Sequence, residues 1–512
     1  MYDLIIRNGN ILDGTGSTRY LADIAVKDGK IVRIAKNIKG DAAEVIDASG
    51  LTVTPGFIDS HSHSDNAVLE YPDMIEKVEQ GITTSVGGQC GGSVAPAALS
   101  AYPLPEEKKC LATMGSFLEA YKDAELGSNL CIMVGHGTLR KAVMGIENRE
   151  PTAEELEKMK ELLREGIRGG AMGLSLGLIY VPSTYAKTPE LIELAKVAGE
   201  MDALVVAHIR SEDSEMIEAV KEFITVIRES GARGVISHHK VTKEANFGKV
   251  NHSLALIDRA NAEGLEVWCD VYPYTASSTG LMAAFVPKPV QAAGKAKVKE
   301  ALQDPARRRE ITEATKRRHG EDLEWVLVTS CPGHPEFKGM RVSEIAKVWG
   351  KSHYDTVYDL LVDSDMEGNA CYFTINEADV ETVLAPPRAM ICTDGSVAKE
   401  NPVYHPRLRG SFPRVLGRYV RERKVTSLPE MIRKMTSMAA GVYGLKTKGL
   451  LWEGMDADIC IFDADKIIDR ADFINCGLHA EGLNYVIVGG KIAVKDAVYT
   501  GVRGGRIIRN DF

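Results

Sequence analysis

Apolar positions along this chain follow two rhythms. At the start, short β-prone runs alternate with tight-turn dipeptides. Leu4-Ile5-Ile6, Asn8-Gly9, Ile24-Ala25-Val26, Asp28-Gly29 and Ile31-Val32 come first, then Val45-Ile46-Asp47 and Leu51-Thr52-Val53. Asn-Gly and Asp-Gly between such runs predict hairpins. The tail repeats the style in Asp458–Phe462, Tyr485–Val488, Gly489-Gly490 and Arg506-Ile507-Ile508. Neither piece has the strands for a stable sheet of its own. The ends are therefore expected to pair into one small β domain, a β-sandwich built from residues 1–54 and 436–512.

Between them the rhythm changes. Eight short apolar runs alternate with segments of helical period: Phe57-Ile58, Thr83–Val86, Leu130–Val134, Gly173–Leu176, Leu204–Ala207, Gly234–Ser237, Val267–Cys269 and Ala389–Cys392. The clearest helix runs from Thr152 through Ile167, with a capping-box start and apolar residues at helical spacing. Pro189–Gly199 and Ser214–Ser230 read similarly. This alternation predicts an α/β fold, a (β/α)8 TIM barrel over residues 55–435. The span after the seventh run is far longer than its counterparts, so an insertion around 280–385 is expected. The charged stretch Lys297–Arg318, broken at Asp304-Pro305, should supply one or two of its helices. Beside the seventh strand it reads equally as a lid or as a fixed decoration.

The length of 512 residues suits a barrel with a smaller domain. A net charge of -9 argues against nucleic acid or an anionic membrane as the partner and leaves a small-molecule substrate. No basic region leads into an apolar core at the N-terminus, and no apolar run approaches a membrane span. The nine cysteines form no Cys-x-x-Cys pairs, which predicts free thiols and a cytoplasmic protein. A homo-oligomer stays open.

Barrel active sites form at the C-terminal ends of the strands, so the residues just past each run carry the chemistry. The first run ends in His61-Ser62-His63, and alternate strand residues share a side, so this pair can grip one ion. The second leads to Cys90, the fifth to His208, the sixth to His238-His239 and the eighth to Asp394. A lone histidine, buried cysteine or Asp-Gly is usually structural. Five strand ends offering nitrogen, sulfur or carboxylate at one mouth point to a metal. Imidazole with thiolate selects zinc over magnesium or calcium. His239 points to the opposite face of its strand and should pack outward against a helix.

Pro55-Gly-Phe-Ile-Asp-Ser-His-Ser-His resembles the first-strand signature of the amidohydrolase superfamily. The fuller pattern is similar to its D-aminoacylase branch, the N-acyl-D-amino-acid deacylases. It comprises Gly81 through Gly91, Gly135-His-Gly-Thr-Leu-Arg, His208-Ile-Arg-Ser-Glu, Ile236-Ser-His-His-Lys, Asp270-Val-Tyr-Pro-Tyr, Thr393-Asp-Gly and His405-Pro-Arg. The resemblance spans essentially the whole chain. It implies a tight zinc on Cys90, His208 and His238, and a second, weaker position lined by His61, His63 and Asp394. The fourth strand ends Leu174-Ser-Leu-Gly177 without the metal-bridging lysine of other superfamily members, which fits a cysteine-bridged branch. The stretch Ser396–Tyr404 departs from the branch pattern, which touches substrate range and not chemistry.

The activity so implied is hydrolysis of the amide bond of N-acyl-D-amino acids through a metal-bound hydroxide, with Asp394 as general base and then acid. The substrate α-carboxylate needs a cation: Arg407 first, as a bidentate partner, then Lys240. Tyr272, Ser278 and Tyr180 are candidates for hydroxyl contacts, and His136 for support of the metal site. A neutral side chain is the leading expectation. N-acyl-D-glutamate or D-aspartate specificity and a cyclic amidase of hydantoinase or dihydroorotase type are the alternatives. An inactive binding protein would have lost ligands that are all retained here. Gly87-Gly-Gln-Cys-Gly-Gly lacks the lysine of a phosphate loop.

Overall fold

The computed structural model describes residues 1–97, 106–397 and 405–510. Eight parallel strands occupy the eight predicted places: Phe57–Asp59, Ile82–Gly87, Asn129–Ile132 continued by Val134–Gly135, Gly173–Gly177, Leu204–His208, Arg233–Ile236, Val267–Val271 and Ala389–Ile391. Each pairs with the next in chain order. The third is interrupted at Met133, whose N–H donates to Gly87 O at 3.0 Å. The eighth meets the first where Ser60 Oγ donates to Ile391 O at 3.1 Å and Asp394 N to His61 O at 2.9 Å. Almost every residue of these strands is buried, as apolar runs covered on both faces must be.

The helices between the strands match the sequence signals. Ala153–Arg168 starts on a Thr152 capping box with Glu155, and Thr188–Glu200 and Met216–Ser230 follow. Their apolar faces close a single cluster with the strands, including Leu163, Ile167, Leu194, Phe223 and Ile227. No helix among the described residues is long and apolar enough to cross a membrane.

Both chain ends meet in one sheet. Thr52–Pro55 pairs antiparallel with Ile459–Phe462, which joins four other N-terminal strands to three more from the tail, nine in all. The two halves of the expected sandwich are hydrogen-bonded into this single sheet. Its ten-residue strand Tyr2–Ile11 pairs with Ala42–Asp47 along one half and Thr52–Pro55 along the other. An apolar cluster from Leu4, Ile24, Ile46, Ile459 and Ile487 fills it. Arg506-Ile507-Ile508 does not add a strand there, contrary to the sequence reading. It runs beside the third barrel strand, with Leu130 N donating to Arg506 O and Ile508 N to Leu130 O, both at 2.9 Å. Gly505 permits that approach, because a Cβ there would sit 2.4 Å from Ser128 C.

The insertion holds two charged helices, Lys295–Gln303 and Pro305–His319, split where Asp304 caps the second. It also holds a three-stranded antiparallel sheet that the sequence reading did not foresee, with Asn369–Tyr372 between Ser277–Gly280 and Val326–Ser330. Phe285, Leu302, Tyr354 and Tyr358 belong to its own core.

Candidate metal centre and active site

The barrel strand ends bring Cys90 into the middle of the predicted residues. Its Sγ lies 3.4 Å from His61 Nε2, 3.6 Å from His208 Nδ1 and 3.4 Å from His238 Nε2. Asp394 Oδ1 is 3.1 Å from His63 Nε2 and 3.5 Å from His61 Nε2. Two groups of donor atoms result, Cys90 with His208 and His238, and Cys90 with His61, His63 and Asp394, and the thiol belongs to both.

These residues fit zinc. With Zn–S near 2.3 Å and Zn–N near 2.0–2.1 Å, a tetrahedral edge between sulfur and nitrogen is about 3.6 Å, close to the observed spacings. Electrostatics agrees. Burial, and then the Asp394 charge, push the Cys90 thiol well up. A thiolate there needs a cation beside it. His61 and His208 do not supply one: burial holds His61 well below its usual range and His208 at about 3. Neutral imidazoles are the form that binds metal.

The backbone is strained to hold this arrangement. Cys90, His238 and Asp394 adopt φ of 52°, 36° and 47°, in the left-handed region that non-glycine residues seldom use. Each is braced. Gly91 N donates to Ser175 Oγ, Asp270 Oδ1 accepts from His238 N, and Asp394 N donates to His61 O. A buried Lys77 completes the brace, reaching Asp59 Oδ2 at 2.9 Å, Thr393 Oγ1 at 2.8 Å and Gly395 O at 3.0 Å. The loop after Cys90 packs onto the end of the fourth strand so tightly that a Cβ on Gly177 would lie 1.9 Å from Cys90 O. Any side chain at Gly177 would collide with the Cys90 loop.

Asp394 is set by Arg407. Burial raises its carboxyl, but the guanidinium, with Nη1 2.7 Å from Oδ2, and the neighbouring imidazoles hold it well below the usual carboxylate range. Arg407 keeps a donor in reserve, since its buried Nε has no partner among the described residues. Its guanidinium carbon stands 5.0 Å from the ring centroid of Tyr272, whose buried hydroxyl is also unpaired among the described residues. Buried donors left open cost free energy unless an acceptor arrives.

The remaining predicted residues fall into place less uniformly. Lys240 is engaged: its Nζ lies 2.5 Å from Glu212 Oε1 and donates to His238 O at 3.0 Å. Tyr180 stands edge-on to His208 with centroids 5.3 Å apart, its hydroxyl 3.3 Å from Thr279 Oγ1. Ser278 lies half-buried at the insertion's first strand, in register with Cys371. His239 packs outward, its Nε2 2.7 Å from Ser253 Oγ on the helix Lys249–Ala262. His136 does not support a ligand. It bonds Ser183 at 3.0 Å and Glu190 at 2.9 Å, because Glu190 is the carboxylate its helix faces. Most of the divergent stretch before His405, residues 398–404, lies outside the described residues.

Glu212 was missed in the sequence. It lies four residues past His208, with Oε1 3.0 Å from His238 Nδ1 and Oε2 3.7 Å from His208 Nε2. Burial raises its carboxyl, but Lys240 and the two histidines hold it down, so it stays ionised. For His238 to offer Nε2 to a metal, Nδ1 must carry the proton; Glu212 Oε1 can accept it, and the Lys240 ammonium stands 2.9 Å from the same nitrogen. Its signal was the Glu that closes His208-Ile-Arg-Ser-Glu, four residues past a ligand candidate.

Known proteins resemble this chain along its whole length. A D-aminoacylase of Alcaligenes xylosoxydans xylosoxydans is 34% identical over 99% of this chain and 97% of its own. An N-acyl-D-glutamate deacylase of the same organism is 36% identical over the same shares. The crystal structure of N-acyl-D-glutamate deacylase from Bordetella bronchiseptica, complexed with zinc and a phosphonate mimic of the tetrahedral intermediate, superposes with a TM-score of 0.86 at 35% identity. It covers 99% of both chains. Residues 44–247 and 389–494 match the model of the amidohydrolase family, and with relatives of this identity along its whole length the chain belongs to that family.

Proposed function

We propose that this chain is a zinc-dependent deacylase that hydrolyses the amide bond of N-acyl-D-amino acids, releasing a carboxylic acid and a D-amino acid. The observation that carries the reading is the Cys90 thiol shared between two donor groups, with an Asp394–Arg407 pair on its rim. The whole-length relatives named for activity on linear N-acyl-D-amino acids support the substrate class.

Cys90, His208 and His238 would hold the tight zinc, and His61, His63 and Asp394 would line a weaker position. When bound, zinc supplies Lewis acidity, polarising the amide carbonyl and acidifying the attacking water. Asp394 accepts the water's proton on Oδ1 and passes it to the departing nitrogen. Arg407 keeps Asp394 ionised and turns its open Nε, with the Tyr272 hydroxyl, to the substrate α-carboxylate. Glu212 and Lys240 hold the His208 and His238 rings in place. We place the protein in the cytoplasm, where nine free cysteines stay reduced.

A panel of N-acetyl-D- and N-acetyl-L-amino acids, with hydantoins beside them and zinc measured on the same preparation, tests the reading. Turnover of D-configured acids by protein carrying at least one zinc per chain is expected. Turnover confined to L-acids or hydantoins, or full activity in metal-free protein, overturns it.

A further inference from the structure

In the terminal sheet, Ile459–Phe462 and Leu483–Val488 are antiparallel neighbours. Such a pair can be joined by a loop of about two to five residues, and a much longer connection usually has work to do. Here the chain between them leaves the sheet and runs to the barrel mouth. Arg421 Nη1 donates to Ile467 O at 2.7 Å on the way, and Asp469 and Phe473 then meet the residues around Arg407.

This segment grips the helix Arg407–Arg414 at both ends. At the far end Arg414 Nη1 donates to Asp469 Oδ2 at 3.1 Å, and the Tyr274 hydroxyl lies 3.5 Å from the same oxygen. Gly410 permits that approach, because a Cβ there would sit 2.4 Å from the Tyr274 hydroxyl and 3.0 Å from Asp469 Cβ. At the near end Phe473 stands edge-on to His405, with ring centroids 4.9 Å apart. Phe473 is backed in turn by Phe373 of the insertion at 4.6 Å. His405 sets the start of the helix: its Nδ1 accepts from Arg407 N at 3.1 Å, while Nε2 donates to Ala276 O at 2.8 Å. Burial, and then the Arg407 charge, hold His405 well below its usual range, and the neutral ring is the form that can accept on one nitrogen and donate on the other. Tyr274 and Tyr272 stand edge-on to the same ring at 5.1 Å and 6.1 Å, and Tyr272 is the ring against which the Arg407 guanidinium lies.

We infer that Asp469 and Phe473 are positioning residues for Arg407, so that a segment of the terminal β domain sets how the enzyme receives the substrate α-carboxylate. Arg407 must serve Asp394 through Nη1 and the substrate through Nε, and a two-pronged donor works only while its plane is held. Phe473 keeps the His405 ring under the first turn of the helix, and Asp469 keeps the last turn from swinging away. The inference rests on the deacylase reading and adds to it two residues that act through His405 and the helix.

The test uses zinc-loaded full-length protein and two ligands that differ by one charge. N-acetyl-D-leucine is read by kcat and KM, and N-acetyl-D-leucinamide by Ki as its competitor. Wild type should favour the acid. Phe473→Ala should weaken the acid by ~10-fold, mainly through KM, and leave the amide within ~2-fold, since only the acid uses Arg407. Phe473→Leu refills the space and should recover most of the loss. Asp469→Asn removes the charge that holds Arg414 and should move the acid in the same direction, which carries the test should Phe473→Ala fail to fold. Adding Phe473→Ala to Arg407→Ala should cost the acid nothing further, because both act through one group. Acid and amide weakened equally, an acid KM unmoved in both Phe473→Ala and Asp469→Asn, or a full further loss in the double variant overturns the positioning role and leaves the deacylase standing. Wild type that binds acid and amide alike overturns the Arg407 assignment and the positioning role with it. Failure of wild type to hydrolyse N-acetyl-D-leucine overturns the deacylase reading as well.

Discussion

At the residue scale, the site depends on a few side chains held where they would not rest alone. Asp394 combines a left-handed backbone, a guanidinium on one oxygen and two imidazoles near the other. Asp394→Asn keeps the shape and removes the proton carrier, so turnover should fall by a factor of roughly 10² or more. Zinc content should hold at one per chain, because Cys90, His208 and His238 are untouched. Near-normal turnover of N-acetyl-D-amino acids would assign the base elsewhere. Cys90 calls for the opposite pattern. Its sulfur belongs to both donor groups, so Cys90→Ala should strip most of the zinc and the activity together, measured by metal analysis on folded protein. Retained zinc would remove the thiol from the centre. Most of this site was legible in the sequence, since ligand-type residues at the ends of apolar runs carry their own signal. Glu212 was not, because a carboxylate acting through two histidines from different strands declares itself only when those strands are neighbours. Lys240 was legible as a cation two residues beyond His238, just past its strand. That Glu212 had already taken up its charge was not, since the partner comes from another strand end.

Elements explain why the cysteine sits where it does. The Cys90 loop touches the fourth strand backbone to backbone, with Gly91 at φ 76° and Gly177 facing the Cys90 carbonyl. Gly177→Ala would place a methyl 1.9 Å from that oxygen, so the loop must move. The expected cost is about 1–3 kcal/mol of stability, with weakened zinc retention because Cys90 moves too. Gly441, in the helix Ser437–Val442, has nothing within 4 Å of its Cβ position, so Gly441→Ala should be neutral or stabilising by up to about 1 kcal/mol. Denaturant unfolding of both variants, with metal analysis, checks the contrast, and equal behaviour would contradict the packing. The eight barrel strands were legible because fully buried parallel strands are short apolar runs with polar ends. The insertion's sheet was not, because Ser277–Gly280 pairs with Asn369–Tyr372 across most of the insertion and leaves no local pattern. The tail at Arg506–Ile508 has the composition of a strand, and the close approach that Gly505 permits directs it to the barrel.

Across the whole molecule, the barrel is enclosed between chain ends that must find each other. One carboxylate gathers them: Asp456 accepts from Lys30 at 2.5 Å, from Thr447 at 2.8 Å and from Lys448 at 3.0 Å, with Arg506 at 3.6 Å. Lys448 reaches Asp458 as well, and Asp458 in turn accepts from Gly489 N and from Asn129 on the third barrel strand. Burial alone would raise the Asp456 carboxyl, but Lys448 and these hydrogen bonds hold it down to about 2, below the ordinary 3.8. A depressed carboxyl stabilises the fold fully above its unfolded value and gives that stability up as pH falls toward its folded one. The side chain is only 7% exposed, so solvent screens the pairs little, and the shift corresponds to about 2 kcal/mol. Asp456→Asn should therefore unfold more easily than wild type by about this much at pH 6. The gap should stay constant down to about pH 4 and close below it, as the wild-type carboxylate takes up its proton. Urea unfolding at a series of pH values reads the gap directly. A difference that is already absent at pH 6, or that persists unchanged at pH 3, would mean that the sheet and its apolar cluster hold the two ends together without this charge.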